Sequence, residues 1–185
     1  MLSTNRSTKS KLLLSAVVVL AVVLTSCKRE DDYVEPEAFS FVVYPGAKYL
    51  GQLTETFKQA HKIAVPSQEP PPMAIYDTDA PVEQVAEYYA KQYGYNTVAP
   101  DVTNNLGAVK PQAYYRTGEL GADARSIEGL IKQMNLQTDV AKATGVYKAA
   151  EISPRPNRPR VTIQRPYFDV TTSTVVDRTL ILMAR

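Results

Sequence analysis

The chain of 185 residues has one cysteine, one histidine and no tryptophan, and the shortages of cysteine and histidine each close a class of chemistry. A lone cysteine, Cys27, cannot form an intrachain disulfide, so the fold has no covalent staple even in an oxidising compartment. The lone histidine, His61, is the sole base that a Ser-His-Asp triad has to draw on. It stands among Lys58 and Lys62 in a segment that reads as exposed, and no Gly-x-Ser-x-Gly elbow accompanies it. Zinc sites need clusters of His and Cys, which one of each does not make. Glycine-rich phosphate loops and EF-hand spacing are missing as well. Long hydrophobic runs are also lacking: residues 12–24 are apolar apart from Ser15, short of the ~20 that a membrane-spanning helix needs. The sequence therefore assigns no catalytic residue, no metal ligand and no cofactor.

What is present at the N-terminus is an address. Arg6, Lys9 and Lys11 precede the apolar run with no acid among them, and small residues close it, the pattern of a secretory signal. The closing run Leu24-Thr25-Ser26-Cys27 resembles the lipobox of bacterial lipoproteins. That resemblance implies a diacylglyceryl group on the Cys27 thiol, cleavage before it, and acylation of the new amino group. Residues 1–26 are then the signal, 27–38 the lipidated cysteine and a tether, and 39–185 a single domain. Two or more acyl chains hold a protein firmly, so the expected partner is a membrane, with the domain facing the periplasm. Lys28 at the second mature position resembles the sorting pattern that favours the outer membrane over the cell membrane.

Removing residues 1–26 leaves 185 − 26 = 159 residues, a one-domain length able to bury roughly two-thirds of its unfolded surface. All three lost cations come from the signal, so 21 − 3 = 18 cations face 19 anions. A near-neutral domain has no global field to draw in nucleic acid, and no nucleic-acid partner is expected.

Residues 28–37 are charged and read as an exposed tether. Phe39, Phe41, Val42, Val43 and Tyr44 form a strand-like run ended by Pro45-Gly46. Leu50, Leu53, Phe57 and Ala60 fall at helical spacing, which favours a helix over 50–62 against a competing strand over 57–65. The prolines of 67–72 impose an extended connection. Residues 73–76 read as a buried strand, followed by a helix opening at Pro81 and capped by Asp79. Val82, Val85, Ala86, Tyr89 and Tyr93 make its apolar stripe, and Gly94 stops it. Residues 113–116 suggest a short strand. Asp123 is read as the cap of a helix carrying Ile127, Leu130, Ile131 and Met134. Strands are expected over 146–152 and 161–165, residues 167–176 read as β-rich around a Thr/Ser-heavy middle, and 179–183 is a closing apolar run. Two strands joined by a turn of unclear length are expected to make a C-terminal antiparallel hairpin. The fold class is α+β: a mainly antiparallel sheet of four to six strands with two or three helices on one face. Its core is expected to include Val85, Tyr89, Ile127, Leu130, Ile163, Leu180 and Leu182.

The best candidate binding surface is Arg155, Arg158, Arg160 and Arg165, four arginines in and beside a proline-stiffened loop. Arginine forks match carboxylates and phosphates, although such arginines also pair with nearby acids. Twelve tyrosines against four phenylalanines suit either a groove for a sugar or peptide or, more simply, a core whose hydroxyls reach the surface. Asp77 and Asp79 flank a strand-to-helix turn, where turn chemistry competes with acid/base work.

Tyr44-Pro45-Gly46-Ala47, the run from Ile75 to Pro81 and the helix from Val85 to Tyr89 together resemble a loose group of uncharacterised bacterial lipoproteins. The members share a "YPGA" opening and an amphipathic "VxxYY" helix. This resemblance spans residues 44–94 and implies location and an α+β fold, with no activity attached. The leading expectation is a non-catalytic binding or assembly module among envelope proteins. A small-ligand carrier using the arginine loop and tyrosines is the alternative. A hydrolase built on Asp77 or Asp79 stands behind both.

Overall fold

A computed structural model describes residues 30–100 and 111–185. The apolar run and Cys27 lie outside the described residues, as does most of the polar stretch read as irregular over 96–110. Among the described residues no helix is long and apolar enough to cross a membrane.

Six strands form one sheet: β1 (Lys48–Tyr49), β2 (Met73–Thr78), β3 (Ala113–Glu119), β4 (Val146–Ile152), β5 (Arg160–Arg165) and β8 (Thr179–Ala184). Their order is β1-β2-β8-β5-β4-β3, and every neighbouring pair is antiparallel. The β-rich stretch 167–176 is a hairpin of its own, a separate ribbon of β6 (Tyr167–Asp169) and β7 (Thr174–Val176), and it is inserted between β5 and β8, which pair antiparallel in the main sheet. Among the described residues four α-helices accompany the sheet: α1 (Gly51–Ala64), α2 (Val82–Gln92), α3 (Leu120–Ser126) and α4 (Glu128–Gln133). The α+β class and the antiparallel sheet are as expected.

The helices divide between both faces, where one face was expected. Strand alternation explains the division. Tyr76, Ile163, Ile181 and Met183 point to one side and pack with Val85 and Tyr89 of α2. Ile75, Leu180 and Leu182 point to the other and meet Leu53 of α1 and Ile131 of α4. Tyr147 and Ala149 pack there with Leu120 and Ala124 of α3. Residues of β2 are buried on both sides throughout.

The helical reading of residues 50–62 holds because its spacing puts Leu53 in the core. Thr54 on the same turn is fully buried. Its hydroxyl donates to Leu50 O (2.8 Å) and accepts from Ile75 N (3.0 Å), stitching α1 to β2. The stripe of α2 is buried as read, and Gly94 stops the helix. At φ +71° it lets Tyr95 N reach Ala90 O (2.8 Å), closing the helix end in a left-handed cap.

Five expectations need correction. The run from Phe39 is a 3₁₀ turn (Glu37–Val42), because Phe39 and Val42, three apart, point the same way at three residues per turn and are both buried. The segment read as an exposed tether is docked wherever it is described, from Glu30 onward. Glu30 accepts from Gln52 N (3.2 Å), and Tyr76 donates its hydroxyl to Glu35 (3.0 Å). Tyr33 also lies so close to Gly51 that any Cβ there would collide with it. Asp79 does not cap α2, whose first residue follows Pro81 without a side-chain cap; it pairs with Arg178 instead. Asp123 sits inside α3 rather than before it and accepts from the Tyr147 hydroxyl (2.7 Å). Ile127 is 38% exposed because it is the break between α3 and α4. Leu130 and Leu182 are half-buried, while Val85, Tyr89, Ile163 and Leu180 are buried.

Candidate functional site

The four arginines singled out by sequence do not form one group. Strand β5 runs between Arg160 and Arg165, so these two lie about 16 Å apart at the usual rise per residue. Register confirms the separation. Arg160 pairs opposite Ala184, whereas Gln164, next to Arg165, pairs opposite Leu180.

At the Arg165 end, Arg165 and Arg178 are paired with Asp77, Asp79 and Asp177. Arg178 makes a forked contact with Asp77, through Nε (2.7 Å) and Nη2 (3.2 Å), and its third nitrogen meets Asp79. Tyr167 donates its hydroxyl to Asp77 (3.3 Å). Arg165 donates to the Asp177 carboxylate (2.9 Å), to Asp177 O (3.0 Å) and to Asp79 O (2.9 Å). That hydrogen bond lowers the Asp177 pKa, and burial, helped by Asp77, pushes the Tyr167 hydroxyl up. The strand ends of β2, β5 and β8 are clamped here. Asp77, once a candidate acid or base, has its oxygens taken by Arg178 and Tyr167.

The loop end is built differently. Residues Arg155-Pro156-Asn157-Arg158 form a tight turn closed by Arg158 N to Arg155 O (2.9 Å), with Asn157 at φ 61°. Proline second and a left-handed third residue are the type II arrangement. The turn sets Arg155 and Arg158 directly opposite one another as an antiparallel bridge. The Arg155 guanidinium lies 4.5 Å from the centre of the Tyr95 ring and donates Nε to Tyr93 O (3.2 Å), while Arg158 lies 5.4 Å from the centre of the Tyr93 ring. Both rings are fixed: Tyr93 donates its hydroxyl to Pro159 O (2.8 Å), and Tyr95 to Ser153 O (2.9 Å). Burial raises the Tyr93 pKa to about 12, and Arg158 and Arg185 both pull it down against that trend.

Arg185 is the member that sequence reading missed. It follows β8 and donates to Asn157 O (3.2 Å), at the tip of the same turn. Only the β5–β8 register could have revealed it. Among the described residues no Asp or Glu carboxylate lies within 4.0 Å of a side-chain nitrogen of Arg155, Arg158, Arg160 or Arg185.

The tyrosines serve mainly as core and rim. Tyr44, Tyr76, Tyr89, Tyr93, Tyr147 and Tyr167 are buried. An open hollow of about 670 Å³ beside the end of α2 is lined by Tyr95 and Tyr115 with Glu87, Lys91 and Asn96, but by none of the four arginines. His61 lies half-buried on α1, and its Nδ1 is buried with no hydrogen-bond partner. Among the described residues no three His, Cys, Asp or Glu side chains gather as metal ligands. The chain matches no family model, no curated protein and no solved structure.

Proposed function

We propose that the chain is a bacterial envelope lipoprotein whose folded domain acts as a non-catalytic binding or assembly module, held to a membrane through Cys27. The observation that carries this reading is the cysteine closing a cation-led apolar run at Leu24-Thr25-Ser26-Cys27. Two features of the fold support it. Glu30, three positions after Cys27 in the sequence, already contacts α1, which keeps the domain close to the bilayer. The carboxylates best placed for acid/base work, Asp77 and Asp79, are spent on Arg178.

Cys27→Ser in the full chain tests the anchor. The variant is expected to lose the mass of the acyl groups and to leave the membrane fraction after carbonate washing, with the fold unchanged because no disulfide is lost. An unacylated, processed variant that stays with membranes would refute the anchor. The module is tested by crosslinking in intact cells, where envelope proteins should be captured by wild type and lost in Cys27→Ser.

A further inference from the structure

Arg155 and Arg158 face one another across a two-residue turn, and like charges directly opposed across a bridge destabilise it. Arg185 adds a third guanidinium at the same tip by donating to Asn157 O. The groups that hold these arginines are tyrosine faces and carbonyl oxygens, which orient a guanidinium without cancelling its charge. The Arg155 and Arg158 guanidinium groups lie over the Tyr95 and Tyr93 rings, which restricts both side chains in advance and leaves less freedom to lose on binding. Most donors of the three side chains are left unused, since only Arg155 Nε and one Arg185 nitrogen have protein acceptors among the described residues. The turn itself is braced by Pro154, Pro156 and Pro159.

We propose that Arg155, Arg158 and Arg185 form an anion-binding site for a phosphate group; Arg160, opposite Ala184, alternates to the other face of the sheet from Ile181 and Met183 and is no part of it. A carboxylate is flat and satisfied by one fork. Three guanidinium groups around one turn suit a tetrahedral group that carries up to two charges and accepts from several directions. The phosphate can be free or the head of a lipid. This deepens the binding-module reading and rests on it, but it does not need the anchor: the Cys27 assay reads the lipid, and the following titration reads the site.

The full chain in detergent is titrated with sodium phosphate, and separately with sodium chloride at matched ionic strength, while the arginine guanidinium N–H signals are followed by NMR. Phosphate is expected to shift those of Arg155, Arg158 and Arg185 saturably, and chloride is not. Arg155→Ala/Arg158→Ala should weaken binding at least tenfold, and Arg165→Ala, at the far end of β5, should leave it unchanged. Arg155→Lys/Arg158→Lys keeps the charge, loses the planar fork, and should fall between the two. Glycerol 3-phosphate as a second probe separates the sources. Tighter binding than inorganic phosphate assigns the site to a lipid head, and equal binding assigns it to the free ion. Absence of a saturable shift, an equal response to chloride, or unchanged affinity in Arg155→Ala/Arg158→Ala would overturn the proposal.

Discussion

The two ends of β5 use the same residue to opposite ends. At the Arg165 end, Arg165 and Arg178 are matched by Asp77, Asp79 and Asp177, and the ion pairs join segments that are distant in sequence. At the Arg160 end, Arg155, Arg158 and Arg185 rest on tyrosine rings and carbonyl oxygens, with no Asp or Glu carboxylate within ion-pairing distance among the described residues. Arginine count therefore says little, and the neighbours decide the role. Where carboxylates close the charge, the group holds the fold. Where aromatic faces support the side chain and leave its charge open, the group is poised toward solvent.

Breaking the clamp should have the largest effect. Asp77→Ala leaves Arg178 without its main partner and removes the acceptor of the Tyr167 hydroxyl. Breaking a fully buried pair costs about 3–5 kcal/mol. The Arg178 side chain keeps 28% of its exposure, so the expected loss is about 2–3 kcal/mol, read as a lower urea midpoint at unchanged slope.

The tyrosine platform at the other end gives the next effect, and it depends on pH. Tyr93 titrates near 12 in the fold because burial disfavours its charged form, against about 10 in an unfolded chain. The folded pKa is the raised one, so this stabilisation is complete below pH ~10 and is lost as pH climbs from there through about 12. Tyr93→Phe cannot ionise and should escape about 2 kcal/mol of alkaline destabilisation. It keeps the ring under Arg158. Unfolding midpoints at stepped alkaline pH, with tyrosinate absorbance followed in a chain free of tryptophan, provide the measurement.

The smallest effect calibrates the other two. Lys148 and Glu83 form an ion pair at 2.5 Å, but their side chains are 44% and 49% exposed. Lys148→Ala should cost no more than about 0.5 kcal/mol by urea unfolding. The pair's hydrogen bond holds the Glu83 pKa below its usual value. What little it contributes is present above the ordinary glutamate range and fades as pH falls through the folded pKa. A large loss in Lys148→Ala would mean that pairing, without burial, makes the clamp strong.

How much of this was legible in the sequence follows the range of the interactions. Helix α2 was readable because its stripe, its proline start and its glycine stop are all local signals. The turn from Phe39 was misread because an apolar run of five serves a strand or a 3₁₀ turn equally well until Phe39 and Val42 are seen buried together. Arg165 was grouped with the loop because it lies close in sequence, yet an extended strand carries it to the far end of the sheet. Arg185 and Arg178 were missed because only the pairing of β8 with β5 and β2 places them. Asp79 had the right position for a cap, but a charged partner brought by β8 outcompeted the helix amides.

The sharpest single measurement is urea unfolding with and without phosphate, in wild type, Asp77→Ala and Arg155→Ala/Arg158→Ala. A ligand at ten times its dissociation constant stabilises the fold by about 1.4 kcal/mol. Asp77→Ala should lose stability yet keep that phosphate gain. Arg155→Ala/Arg158→Ala should stay within about 1 kcal/mol of wild type, the scale of exposed cation–π contacts, and lose the gain. If the arginine variant unfolds as readily as the aspartate variant, or keeps the full phosphate gain, the division between a closed structural end and an open binding end is contradicted.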